Sequence, residues 1–166
     1  GGLLALIVGA PLILILLTFM AITSQQKAYL GTEALPGESP FIGVSKTTTQ
    51  TQFKNDELPR PVEFKITVTA KRGALKNVAI ADSFSVSPDS AATPTGKTWR
   101  VEEITDSWTE SFSADFPQLK DSLVLNQVSV SAEVGGETQT ETTSLAIIVG
   151  TPPDACFNIN FPSSLG

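Results

Sequence analysis

Two segments of the chain alternate strictly between apolar and polar residues. In residues 61–71 the apolar positions recur at every second residue, at Phe64, Ile66, Val68 and Ala70. In residues 122–134 a second apolar face, which Asn126 joins, consists of Val124, Val128, Val130, Ala132 and Val134. Because a period of two places neighbouring side chains on opposite faces, both segments are predicted to be half-buried antiparallel strands.

Weaker alternation and turn residues predict the other strands. Gly73 turns the first strand into a return strand, and a Gly135–Gly136 pair joins the second strand to a Thr-rich partner. Trp99 and Trp108 belong to two further candidate strands and are predicted to fill the core. About seven short strands between residues 44 and 150, with no amphipathic helix, are typical of an immunoglobulin-like antiparallel β-sandwich of the mainly β class.

The N-terminal residues have a different pattern. Residues 3–22 carry no charge and are apolar on every face, with interruptions only at Gly9, Pro11 and Thr18. A helix of this length spans about 30 Å, which is the thickness of the hydrocarbon core of a bilayer. We therefore predict one transmembrane helix within residues 1–26, in contact with the lipid bilayer through residues 3–22.

Two alternatives for this apolar segment are less well supported. A secretory signal has a shorter apolar region followed by a cleavage site with small residues, and TSQQKAYLGTEA, residues 23–34, offers no such site. A pilin-type assembly helix is also apolar, but bacterial pilins place an acid early in that helix, whereas the first acid here is Glu33.

The remaining segments complete the predicted organisation. Residues 27–43 are rich in Gly, Pro and small polar residues and are predicted to be a linker, residues 44–150 form the sandwich, and residues 151–166 are a linker or the start of a further domain. The flank after the apolar segment has no basic cluster, which favours a C-terminal domain outside the cell membrane.

Composition narrows the possible chemistry. The net charge of −6 with 11 scattered basic residues argues against nucleic acid, and the absence of His removes the usual general base and metal ligand. We predict no catalytic residues, no cofactor and no small-molecule substrate. Cys156 is the single Cys and is expected to pair with a Cys elsewhere, form an intermolecular bridge, or stay a buried thiol.

Five acidic residues could in principle meet at one end of a sandwich and bind calcium. They are Asp82, Asp89, Glu102, Glu103 and Asp106. Calcium requires six to eight oxygen ligands, and the sequence has no D-x-D-x-D-G loop. We therefore predict that these are ordinary solvated acids and that the chain has no metal site.

One segment resembles a known family. FKITVTAKRGALKNVAIADSF, followed by LVLNQVSVSAEVGGETQTETTSLAIIV, is similar to the DUF11, or conserved-repeat, sandwiches of bacterial and archaeal surface proteins. The resemblance covers roughly residues 60–150, but AKRGA replaces the Asn-rich turn of the family, and the segment with both Trp residues has no counterpart. It implies a structural role at the cell surface and supplies no catalytic residues.

Three functional hypotheses follow from the sequence. The first is a membrane-anchored surface protein that presents an Ig-like domain as a spacer, with cell-wall or other surface proteins as its candidate partners. The second is a pilin-like filament subunit, and the third is the non-catalytic N-terminal part of a larger cell-wall enzyme.

Overall fold

The computed structural model describes residues 32–34, 36–88 and 91–153, and this part of the chain is mainly β and contains no helix. It forms eight strands: β1 (Ile42–Thr48), β2 (Gln52–Phe53), β3 (Arg60–Ala70), β4 (Leu75–Ser87), β5 (Thr98–Ile104), β6 (Ser107–Phe116), β7 (Ser122–Val134) and β8 (Glu137–Val149).

The strands form two sheets. A three-stranded sheet has the order β1-β3-β6, and a five-stranded sheet has the order β2-β8-β7-β4-β5. All pairs are antiparallel except β2 with β8, which is parallel. The chain therefore changes sheets between β1 and β2, within the few residues after Thr48.

The predicted alternation sets which residues fill the space between the sheets. Ile66 and Val68 of β3 are fully buried, as are Val124 and Val128 of β7. The intervening residues are more exposed: Thr67 is half-buried, and Ser129 is exposed. The inward face predicted for the two alternating segments is confirmed, with Ala70 and Val134 at the strand ends half-buried.

The two tryptophans pack beside this core rather than at its centre. Trp99 and Trp108 are each half-buried, and their rings meet edge-to-face at 5.8 Å between centroids. Trp99 also lies 5.3 Å from the ring of Phe112. Since these residues come from β5 and β6, the aromatic contact joins the edge strands of the two sheets.

Part of the segment predicted as a linker is paired with the sandwich. Ala34 N donates to Lys46 O, and Thr48 N donates to Thr32 O, both at 2.8 Å. Farther along, Ser39 N donates to Glu141 Oε2 of β8 at 2.5 Å. Residues 32–34 and 36–41 therefore lie back along the sandwich before β1 begins.

Several sequence predictions concern residues outside the described part of the chain. They include the transmembrane helix within residues 1–26 and Cys156 in the C-terminal segment. Within the described residues, no helix has the length and apolar character needed to cross a membrane.

A group of hydrogen bonds holds the C-terminal end of β8. The Asp121 carboxylate accepts from Asn55 Nδ2 at 2.9 Å and from Thr151 N at 3.0 Å. Asp121 N donates in turn to Asn55 Oδ1 at 3.0 Å. The donors, Thr151 N–H first and then Asn55, stabilise the charged form and lower the pKa of Asp121 below its ordinary value of 3.8.

This lowered pKa predicts an acid-dependent contribution to stability. Because the folded pKa lies below the unfolded one, the stabilisation is complete above pH 3.8 and is lost as the pH falls through the folded value. Asn tolerates the left-handed backbone of this position, at φ 46°. The Asp121→Asn variant should therefore fold but be less stable than the wild type near neutral pH, and the difference in unfolding free energy should shrink as the pH falls. Urea unfolding at stepped pH, with Asp115→Asn as the charge control, measures this. A deficit that stays constant down to low pH would contradict it.

A buried lysine site between the sheets

The most unusual side chain in the core is Lys46. Every second residue of β1 is buried, in the order Ile42, Val44, Lys46 and Thr48. This places the Lys46 side chain between the two sheets, where the residue is 0% exposed. Lysine is almost never fully buried unless it is paired, so its neighbours determine what it does there.

One polar side chain from the opposite sheet contacts Lys46, and a second one bonds to the first. The buried Asp82 of β4 accepts a hydrogen bond from Lys46 Nζ through its Oδ1 atom. Asn126 of β7 is also fully buried, and its Nδ2 donates to Asp82 Oδ1 and to Ser83 O, both at 2.9 Å. Lys46, Asp82 and Asn126 form a polar cluster that connects the two sheets, and we call it the inter-sheet triad.

Aromatic rings enclose this triad. Lys46 Nζ lies 4.7 Å from the ring centroid of Phe64, 5.2 Å from that of Phe112 and 5.6 Å from that of Phe84. Phe64 comes within 5.6 Å of each of the other two rings. These rings exclude water from the amine while their faces still attract a cation.

Burial shifts both ionisable groups toward their neutral forms. Loss of solvent lowers the pKa of Lys46 from 10.5 to about 8, although the neighbouring Asp82 opposes the shift. Loss of solvent also raises the pKa of Asp82 above 3.8, against the opposing effects of Lys46 and Asn126. Both shifts favour transfer of one proton from the ammonium to the carboxylate.

Two oxygen atoms of the triad have no hydrogen-bond partner. Asp82 Oδ2 and Asn126 Oδ1 are both buried and unpaired within the described residues. Since a buried unpaired oxygen is costly, the triad is not a fully satisfied structural network. It brings an amine and a carboxyl group into contact in a dry environment.

The loop before β5 packs against β4 at Asp82, a member of the inter-sheet triad. Asp82 N donates to Lys97 O at 2.8 Å, and a Cβ atom on Gly96 would overlap the backbone carbonyl of Asp82. Glycine is therefore required at position 96 for the loop to approach this closely. The Lys97 Nζ atom lies 5.6 Å from the centroid of the Phe112 ring, which brings a second cation to the same aromatic group.

The structure separates the five acids considered as calcium ligands. Asp82 is buried in the triad, Glu102 and Glu103 are exposed on β5, and Asp106 is exposed beside β6. Asp89 lies outside the described residues. Thus the prediction that all five are solvated is wrong for Asp82. Within the described residues no three His, Cys, Asp or Glu side chains form a group that could hold a metal ion.

Sequence reasoning missed the role of Lys46. The signal was its position in IGVSKTT, where it follows Ile42 and Val44 at a spacing of two. Asn126 was correctly placed on the buried face of its strand, and Asp82 was considered only as a metal ligand. A polar residue at the inward position of each of three strands is the pattern that indicates a cross-sheet cluster.

Comparisons with known proteins identify no family for this chain. No family model matches it, and no curated protein matches it. A solved CARDB domain from Pyrococcus furiosus, in complex with di-metal ions, aligns with 69% of this chain and 92% of its own, at 8% identity and a TM-score of 0.41. Spo0M, a sporulation control protein of Bacillus subtilis, aligns with 72% of this chain and 56% of its own, at 15% identity and a TM-score of 0.35. Both TM-scores are below 0.5, so the strand order of this chain is the only basis for describing its fold.

Proposed function

We propose that this chain is a membrane-anchored structural module of a cell-surface protein. In this proposal residues 3–22 cross the bilayer, and an Ig-like sandwich of the DUF11 type lies outside the cell as a spacer. The supporting observation is that an uncharged segment of bilayer length is joined closely to a two-sheet β-domain.

The short connection between these parts limits where the sandwich can lie. Only residues 23–31 separate the predicted helix from Thr32, whose carbonyl is already bonded to β1. Such a connection spans at most about 30 Å when fully extended. The proposed anchor would therefore hold the sandwich next to the membrane surface.

The chemistry of the described residues also supports a structural role. The inter-sheet triad is enclosed by core side chains, so its amine and carboxyl group face each other instead of an external substrate. A polar depression lined by Lys76, Asn77, Glu102 and Glu103 is open and exposed, and it holds none of the triad residues.

Membrane fractionation with a site-specific protease tests this proposal. A protease site is inserted between Gly135 and Gly136, where the backbone turns and a Cβ atom added to either glycine would meet no other part of the described chain within 4 Å. We expect the protein to stay with the membrane in alkaline carbonate and to be cleaved on intact cells. A chain lacking residues 1–26 is the control and should be recovered without membranes. Release by carbonate, or cleavage only after lysis, would contradict the anchor or the orientation, respectively.

A further inference from the structure

We propose that Lys46 and Asp82 become joined by an amide bond between Lys46 Nζ and Asp82 Cγ. This intramolecular isopeptide bond would connect β1 of the three-stranded sheet to β4 of the five-stranded sheet. The proposal rests on the direct contact of Lys46 Nζ with the Asp82 carboxyl group, with both side chains 0% exposed. The proposal is independent of any membrane anchor.

The reaction balances without a further reactant. The lone pair of the neutral Lys46 amine attacks Asp82 Cγ of the protonated carboxyl group, and a C–N bond forms. The bond from Cγ to Oδ2 then breaks, the amine gives up one proton to Oδ2, and that oxygen leaves as water. No atom is oxidised or reduced.

The surroundings supply the protonation states that this reaction needs. Attack requires an uncharged amine, and departure of water requires a protonated carboxyl group. Burial lowers the pKa of Lys46 and raises that of Asp82, so both shifts favour the neutral pair. The three Phe rings around Nζ keep bulk water, which would restore the charges, away from the amine.

Asn126 is placed to assist at the oxygen where negative charge develops. Its Nδ2 donates to Asp82 Oδ1 at 2.9 Å and is held in position by a second bond to Ser83 O at 2.9 Å. When the amine adds to Cγ, Oδ1 becomes an oxyanion, and a preorganised donor at that atom stabilises it. Oδ2 accepts no hydrogen bond in the described residues, which suits it to accept a proton and leave.

The same cluster holds a second carbonyl carbon that an amine can attack, the side-chain amide carbon of Asn126. In that reaction Lys46 Nζ attacks Asn126 Cγ, the bond from Cγ to Nδ2 breaks, and ammonia leaves after Asp82 carries the proton from Nζ to Nδ2. We favour Asp82 as the acceptor because its carboxyl group is the one that Lys46 Nζ contacts. The two products differ in mass and in the peptide that becomes attached.

Intact mass of the full-length protein under denaturing conditions is the deciding measurement. We expect a mass lower than the sequence mass by one water. Trypsin should then leave the Lys46 position uncut and yield one branched product that joins residues 28–54 to residues 77–97. An unchanged mass would overturn the proposal. Loss of ammonia with attachment to residues 121–166, the tryptic peptide that holds Asn126, would also overturn the assignment to Asp82.

Variants test the assigned roles. Lys46→Arg retains the charge but has no nucleophilic amine, so it should show the full sequence mass. Asn126→Ala should slow formation of the linked species by about 100-fold, as for loss of one oxyanion donor. The linked fraction is followed by mass at intervals after synthesis. An unchanged rate in Asn126→Ala would overturn the role of Asn126. Whether the bond exists is decided by the mass of the wild-type protein alone, so a variant that fails to fold does not affect that result.

Discussion

Ile66→Asp and Val130→Asp are each expected to destabilise the sandwich by at least about 3 kcal/mol, because each places an unpaired carboxylate in the core. Ile66 is 0% exposed and Val130 is 1% exposed, and they lie on the inward faces of opposite sheets. Against a typical total stability of about 5–15 kcal/mol, either change removes a large fraction of it.

The neighbouring residues provide matched controls. Thr67 and Ser129 each make one hydroxyl contact across the strands, to Thr109 at 3.0 Å and to Thr142 at 3.2 Å. Changing either to Asp should cost no more than about 1 kcal/mol. Thermal unfolding followed by fluorescence measures the sandwich directly, since both tryptophans of the chain lie in it. Equal losses at inward and outward positions would show that the register is wrong.

Lys46→Met is expected to cost about 3–5 kcal/mol, because it removes the ammonium group and leaves the buried Asp82 carboxyl group with only the Asn126 amide as a side-chain donor. The methionine side chain has a similar length and keeps the packing against Phe64. The control is Lys65→Met, which removes an exposed lysine from the adjacent strand and should be nearly silent. Urea unfolding curves compare the two, and a loss at Lys46 no larger than that at Lys65 would contradict the prediction.

A double change separates an ion pair from a covalent bond. Lys46→Met combined with Asp82→Leu removes both partners, and replacing an ion pair by apolar residues of similar volume is often close to neutral. An amide between the same residues would close a loop of about 37 residues, which constrains the unfolded chain by about 4 kcal/mol on the model used for disulfides. With the proposed bond, the double variant should stay below the wild type by about this amount. Recovery to the wild-type value would indicate an ion pair alone.

The sequence predicted burial most clearly where apolar residues repeat along one face of a strand. Ile66 and Val130 could be placed because apolar residues alternate over whole strands around them, and burial of that face is the main energetic requirement of a sheet. The same alternation in β1 includes Lys46. A lysine between polar neighbours is usually solvated, so its place in the alternation was outweighed by its charge.

The inter-sheet triad depends on contacts that alternation cannot specify. A period of two shows which face a residue occupies but not which residue of the other sheet lies opposite. Lys46 meets Asp82 because β1 and β4 belong to sheets that pack face to face, and this depends on the strand order of both sheets. The two-residue β2, which pairs in parallel with β8, is likewise too short to show a period.

The segment that lies back along the sandwich gives the protein a built-in extensibility. Tension on the chain before Thr32 must first break the two backbone hydrogen bonds to β1 and the bond from Ser39 to Glu141. It must also break the bonds that Lys71 donates to Ser39 O and Phe41 O. Straightening residues 32–41 then frees a segment with an extended length of about 30 Å, which removes Ala34 from the core while the paired strands remain in place. The pull next reaches β1 at Ile42, four residues before Lys46, which is tied to the other sheet. The domain is thus expected to yield by a short distance under load and then resist at the triad.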